Sequence, residues 1–351
     1  VGLPNAGKST LFKAITALDV TIESYPFSTI DPNKAAVPLQ DRRLETLAAQ
    51  CASSKITPAV IQVVDVAGLV KGASRGEGLG NQFLGELREA DLLIHVVAGF
   101  DCGFDPEADL SFRAAIVNIE LGLADLDTVS KRKQKVLAKS KSGAKQAFCE
   151  AAFLDRLAAH LNYGAPARLY PLRPEEKAIY NALFLLTAKQ MIYVLNQPEE
   201  NLTDAPPATL ARLAEDAKSP VFTLCARLEA EITELPAAER AVFLDEYGLK
   251  ESRVQLLLKE CYNLLGLITF YTVKGTEARA WIVPAGTRAI EAAAKVHSDM
   301  ARGFINVEVL PWEGMLEAGS TAGARDRGFL RVEGRDYPVR DGDVLLFRFR
   351  N

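Results

Sequence analysis

The chain has almost none of the residues that usually announce a metal or redox centre. Its 351 residues include five cysteines and three histidines. The cysteines (Cys51, Cys102, Cys149, Cys225 and Cys261) are odd in number, scattered, and form no C-x-x-C. That excludes a disulfide framework or a zinc ribbon and suits reduced thiols in a cytoplasmic setting. No apolar run approaches the roughly 18 residues needed to cross a bilayer, and no secretory leader is visible, so no membrane partner is expected. Excess positive charge is also lacking. Lys and Arg number 41 against 45 Asp and Glu, a formal net charge of -4. DNA is therefore not an expected partner, although a local basic patch remains compatible with that balance.

What is present is enough apolar residue, 48%, and enough length for two or three domains. Short β-branched runs recur at Ile61–Val64, Leu92–Val97, Met191–Leu195 and Val221–Leu224. Each precedes a polar or glycine-bearing segment and then a helix-like stretch, the pattern of a parallel sheet covered by helices. Between the second and third runs no strand is expected from Ser111 to about Ile179. Ile116, Ile119, Leu123 and Leu126 step by three and four as a helical seam, and Phe153, Leu157 and Leu161 form a second. Between the seams lies Lys131-Arg132-Lys133-Gln134-Lys135, with Lys139, Lys141 and Lys145 beyond. This run reads either as a solvated helix face or as a local basic patch for RNA. After about Leu265 the texture changes to Ile268–Val273, a helical Ala289–Met300, and Val344–Phe349 behind an Asp341-Gly342-Asp343 turn. The expected division is 1–110 and 181–264 as two parts of an α/β domain, 111–180 as an inserted helical hairpin, and 265–351 as a small α+β domain.

Chemistry is concentrated at the start. Gly2-Leu3-Pro4-Asn5-Ala6-Gly7-Lys8-Ser9-Thr10 satisfies G-x-x-x-x-G-K-[ST]. Glycines let successive backbone N–H groups point at phosphate oxygens, helped by the N-terminus of the following helix, in which Leu11, Phe12 and Ile15 are apolar. Residues Asn5 to Thr10 are thus candidate nucleotide contacts, with Lys8 reaching the β- and γ-phosphates and Ser9 ligating Mg²⁺. Such a loop is launched from a buried strand, so a strand is expected ahead of Val1.

Asp65-Val66-Ala67-Gly68 ends the Ile61–Val64 run as a D-x-x-G switch. Asp65 is expected to hold Mg²⁺ through a water and the Gly68 N–H to meet the γ-phosphate. Thr29 lies where a first switch supplies a second Mg²⁺ ligand. Catalysis is assigned to Lys8 and Gly68. Leu69 stands where switch GTPases place a glutamine to orient the attacking water. Help from a monovalent cation is therefore expected, with Asn5 as a candidate K⁺ ligand. Asn196-Gln197-Pro198-Glu199 follows the Met191–Leu195 run in the place of the guanine-reading Asn-Lys-x-Asp, and Cys225-Ala226-Arg227 occupies the last base-contact loop. A side-chain amide can serve adenine N6–H and N7 together. Asn196 is accordingly expected to face the base, alongside Gln197, Glu199, Cys225, Ala226 and Arg227. None of His95, His160 or His297 looks catalytic.

Taken together these residues resemble the YchF/Obg-like ATPase family over essentially the full length. The resemblance is carried by Tyr25 to Asn33, Asp65 to Phe83, Leu123-Ala124-Asp125-Leu126, Glu277-Ala278-Arg279-Ala280-Trp281, His297-Ser298-Asp299 and Asp341-Gly342-Asp343. It implies a G-type P-loop domain with an inserted coiled coil and a C-terminal TGS domain of ubiquitin-like fold. It also implies Mg²⁺-dependent hydrolysis of ATP in preference to GTP, and association with ribosomes. An Obg-type guanine-nucleotide switch, or an adaptor that clamps ATP without turnover, are the competing expectations. The chain departs from the family at Ala98, where an Arg is usual. It also departs after Asp101-Cys102-Gly103, where no histidine occurs before Phe104-Asp105-Pro106.

Overall fold

The structure, a computed structural model, describes residues 1–17, 33–66, 79–101, 109–139, 145–202 and 204–350. Within these, two compact units form.

The first unit is built on a parallel three-stranded sheet, β4-β5-β6. The strands are β4 (Leu92–Ala98), β5 (Gln190–Asn196) and β6 (Val221–Leu224), following β1 (Lys34–Pro38), β2 (Lys55–Thr57) and β3 (Val60–Val64) in the chain. β4 pairs with β5 in strict register from Leu92↔Gln190 to Ala98↔Asn196. Val1 adds itself to the free side of β4: its N–H donates to Ile94 O at 2.7 Å, and Val96 N–H donates to Val1 O at 2.8 Å. The strands bury both faces, which is why they read as unbroken apolar runs. Leu93, Val97, Met191, Tyr193 and Leu195 pack beneath the helices Leu110–Lys139 and Ala208–Asp216, against Ala114, Val117, Leu121, Leu210 and Ala214.

The helix Leu110–Lys139 and its return, Lys145–Asn162, form the expected hairpin. Phe153, Leu157 and Leu161 are buried against Val129 and Val136, each such side chain contributing about 1.5–3 kcal/mol. Of the first seam, Ile116 packs against the sheet core and Leu126 against the hairpin core. Val117, Leu121 and Ala124 face the sheet, whereas Ile119 is 59% and Leu123 39% exposed. Apolar residues occupy two faces of this helix, so periodicity could not say which faces inward. Three cations of the basic run are paired within the hairpin. Lys131 pairs with Asp127 at 2.7 Å, Arg132 with Glu150 at 2.7 Å and Lys133 with Asp155 at 2.5 Å.

The second unit holds a mixed six-stranded sheet in the order β10-β9-β11-β7-β8-β2. Its later strands are β7 (Leu267–Lys274), β8 (Glu277–Pro284), β9 (Phe304–Pro311), β10 (Arg331–Glu333) and β11 (Asp343–Phe349). One face packs on the helix Ala289–Val296 through Phe270, Val283, Val307 and Leu345. The other packs on Leu44, Leu47 and Ala48 of the helix Arg42–Gln50 and on Met315. Residues 35–63 thus belong to this unit, not to the first, where the sequence division had placed them. β2 adds to β8 in parallel, Lys55↔Glu277 to Thr57↔Arg279. The expected Ala289–Met300 helix is two, since His297 is extended at φ -162 and its Nδ1 caps the second by accepting from Asp299 N–H. Among the described residues no helix is long and apolar enough to cross a membrane.

Candidate nucleotide site

The opening loop leaves Val1 and turns beside β4. A Cβ at Gly2 would stand 2.4 Å from Val96 O, so only glycine permits this approach. Gly7 is the N-cap of the helix Lys8–Thr16 in a left-handed conformation, φ 91 and ψ 17. Among the described residues no side chain caps the N–H groups of the first turn, the arrangement that favours an anion. Leu3 and Ala6 are buried, while Asn5 and Thr10 are exposed.

Lys8 Nζ donates to Leu3 O at 2.8 Å, folded over the loop it belongs to. Burial lowers its pKa, and the nearby Asp65 carboxylate opposes that shift. Ser9 Oγ donates to Asp65 Oδ2 at 2.8 Å. Asp65 is held at the end of β3, its N–H donating to Asn33 O at 2.8 Å. A hydroxyl and a carboxylate, both hard oxygen donors, fit Mg²⁺. Thr29 and Gly68 lie outside the described residues, as do Leu69 and the segment from Cys102 to Pro106.

The base-side loops are tied to the phosphate loop by one side chain. Asn196, 4% exposed at the end of β5, donates through Nδ2 to Ala6 O at 3.0 Å, and its Oδ1 accepts from Ala226 N–H at 2.9 Å. The same amide explains Gly7, because a Cβ there would lie 2.1 Å from Asn196 Nδ2. Beyond these two bonds Asn196 keeps one N–H and one Oδ1 lone pair. Gln197 is buried, its N–H donating to Leu224 O at 2.8 Å, and its Oε1 has no partner among the described residues. Glu199 is exposed at the start of a 3-10 turn. Cys225 caps the helix Ala226–Glu234, its Sγ accepting from Leu228 N–H at 3.5 Å, and burial raises its thiol pKa. Arg227 is exposed and paired with Glu231 at 2.9 Å.

A further support escaped the sequence. Glu229, 1% exposed, accepts from Ser252 Oγ at 2.5 Å and Arg253 N–H at 2.8 Å, clamping the base-loop helix to the start of the helix Arg253–Leu264. Within Arg227-Leu228-Glu229-Ala230-Glu231 it reads like any solvated helix acid, and only tertiary packing distinguishes it from Glu231. Of the histidines, His95 is buried against the Tyr193 ring at 5.1 Å, and burial lowers its pKa to about 3. His160 contacts Pro166 O at 3.0 Å.

Comparison with known proteins places these features. Residues 1–141 match a family model described as 50S ribosome-binding GTPase, and residues 267–350 match a YchF-GTPase C-terminal model described as a protein of unknown function. Ribosome-binding ATPase YchF of Bacillus subtilis (strain 168) is 40% identical over 361 residues, covering 99% of this chain and 98% of that protein. The proteins of the same name from Escherichia coli O157:H7 and Mycoplasma genitalium are 40% and 39% identical at the same coverage. Among solved structures, the Schizosaccharomyces pombe YchF GTPase matches with a TM-score of 0.88 at 28% identity, over 99% of this chain and 96% of that one. A GTP binding protein from Pyrococcus horikoshii OT3 shares the fold, with a TM-score of 0.62 at 20% identity over 100% and 98% of the two chains.

Proposed function

This chain belongs to the YchF family, and from that premise we propose that it is a cytoplasmic, ribosome-associated ATPase that binds ATP in preference to GTP and hydrolyses it with Mg²⁺. The carrying observation is the contact of Ser9 Oγ with Asp65 Oδ2 at 2.8 Å, which brings two segments 56 residues apart to the mouth of the phosphate loop. The loop N–H groups and Lys8 bind and orient the phosphates, and Ser9 with Asp65 would hold the metal. When bound, Mg²⁺ neutralises charge on the phosphate oxygens. Residues 265–351 of the second unit are read as the TGS domain. The ribosome contact rests on the relatives' names and not on the basic run, three of whose cations are paired within the hairpin.

Base choice falls to the loops around Asn196. Its one free N–H serves N7, an acceptor common to adenine and guanine. Guanine N1–H and N2–H need a carboxylate, and Glu199 is one methylene longer than the usual aspartate and exposed. A polar base edge left unpaired costs about 1–3 kcal/mol, so ATP is expected to bind roughly ten- to a hundredfold tighter than GTP. Equilibrium titration of labelled ATP and GTP, free and with cosedimenting ribosomes, tests this. Gln197→Lys with Glu199→Asp should move the preference toward GTP. GTP binding tenfold tighter than ATP to the unmodified chain would sink the ATP reading while leaving the phosphate loop assignment intact.

Turnover is expected to be faster in KCl than in NaCl. Leu69 can neither donate to nor accept from an attacking water, and Asn5, exposed with φ 60 in the phosphate loop, is the proposed K⁺ ligand. Equal phosphate-release rates in the two salts, with Asn5→Ala silent, would remove K⁺ from the scheme.

A further inference from the structure

A groove of about 780 Å³ opens in the first unit between the helix Leu110–Lys139, the turn at Tyr163–Pro166 and the helix Ala208–Asp216. That volume lies within the range of about 300–1,000 Å³ usual for small-molecule sites. Its wall is apolar, with Ile119, Leu123, Leu126 and Leu213 among the lining, and Tyr163 stands at the lip, 92% exposed. Val117, Leu121 and Ala124 seat the long helix on the sheet, while Ile119 and Leu123 are left 59% and 39% exposed. Gly122 sits among them, and a Cβ added there would meet no atom within 4 Å. A glycine inside a helix costs about 0.5–1 kcal/mol relative to alanine. Here its missing side chain leaves the groove open at that turn.

The floor carries a cation with no acid opposite. Arg168 donates from Nε to Ala217 O at 3.1 Å, from Nη1 to Thr187 O at 3.3 Å and from Nη2 to Ser219 Oγ at 3.0 Å, all neutral oxygens. Among the described residues it enters no ion pair, and the C-terminus of the helix Ala208–Asp216 provides only a partial negative charge. Burial lowers the Arg168 pKa, as expected of a guanidinium withdrawn from water without a counter-ion. Arg212 on the rim is likewise unpaired among the described residues, and Asp216 is the single acid in the lining. An apolar trough with an unneutralised guanidinium at its base matches one kind of ligand in both shape and charge.

We propose that this groove binds a single-headed amphiphilic anion, a medium-chain carboxylate whose chain lies along Ile119, Leu123 and Leu126 and whose head meets Arg168. The test is calorimetric titration of the full chain with dodecanoate below its micellar concentration, with dodecan-1-ol as the uncharged counterpart and acetate as the head alone. Dodecanoate should bind saturably at one site, dodecan-1-ol at least about tenfold more weakly and acetate not at all. Gly122→Phe fills the open turn and should weaken dodecanoate at least about tenfold without lowering the melting temperature. Arg168→Gln should abolish the preference for carboxylate over alcohol. Should that variant fail to fold, Leu123→Glu, at an exposed position, should weaken dodecanoate by placing like charge along its chain. Absence of saturable binding, equal affinity for acid and alcohol, or an unchanged affinity in Gly122→Phe overturns the proposal.

Discussion

Lys8→Ala is expected to lower ATP affinity and turnover by roughly thirty- to several-thousand-fold, the scale of losing a desolvated charge contact of about 2–5 kcal/mol. Lys8 Nζ rests on Leu3 O at 2.8 Å within the loop and is poised over the positions where phosphate oxygens would lie. Alanine leaves the loop N–H groups in place, so residual binding should persist with slow release of phosphate. Lys13→Ala is the control on the same helix. Lys13 pairs with Glu234 at 2.7 Å, but the two side chains are 66% and 62% exposed, and such pairs contribute at most about 1 kcal/mol. Fluorescent-nucleotide titration and a phosphate-release assay should separate the two variants by at least an order of magnitude. If Lys8→Ala is folded and matches the unmodified chain in both assays, the phosphate loop is not the nucleotide site.

Asn196→Ala should damage both stability and binding. The truncation leaves Ala6 O and Ala226 N–H, both on residues 1% exposed, without their partner. A buried polar group left unpaired costs about 1–3 kcal/mol, so two of them place the loss near 2–6 kcal/mol. Because Ala6 lies in the phosphate loop and Ala226 opens the base-side helix, a lower melting temperature should be accompanied by weaker ATP affinity. Asn196→Asp sharpens the reading. It keeps an acceptor for Ala226 N–H but sets a carboxylate oxygen against Ala6 O, so it should be no milder than alanine. A direct base contact alone would instead leave the nucleotide-free melting temperature unchanged in both variants, and that outcome would refute the tie.

The contrast between these residues shows what was legible in the sequence. Lys8, Ser9 and Asp65 were readable because each motif carries its own local geometry: a glycine-flanked loop before a helix, and an acid at the end of a buried strand. Asn196 was readable as a candidate base contact but not as the tie between the phosphate loop and the base-side helix. Whether an amide meets a base or two backbone groups depends on the spacing of loops at positions 6, 196 and 226, which no local pattern encodes. The seam from Ile116 to Leu126 had the right period, but Ile119 and Leu123 within it stay exposed, since both faces of that helix are apolar. β8 was quoted as a family signature within Glu277–Trp281 but not recognised as a strand. Residues 35–63 were assigned by proximity in the chain to the phosphate loop, yet Leu44, Leu47 and Ala48 found their apolar partners among residues 271–344.

That last arrangement bears on how the chain is made. Residues 35–63 emerge during synthesis roughly 200 residues ahead of 258–351, the only segment able to complete their unit among the described residues. At about 5–20 residues per second, Leu44, Leu47 and β2 wait for on the order of 15–60 s before the last strand of their sheet, β11, has been made. The first unit can close over its phosphate loop during that interval, since its last residue is Leu257. The nascent chain therefore passes through a stage in which the nucleotide-site residues 1–17 and 64–257 have all been made while an apolar helix face remains uncovered.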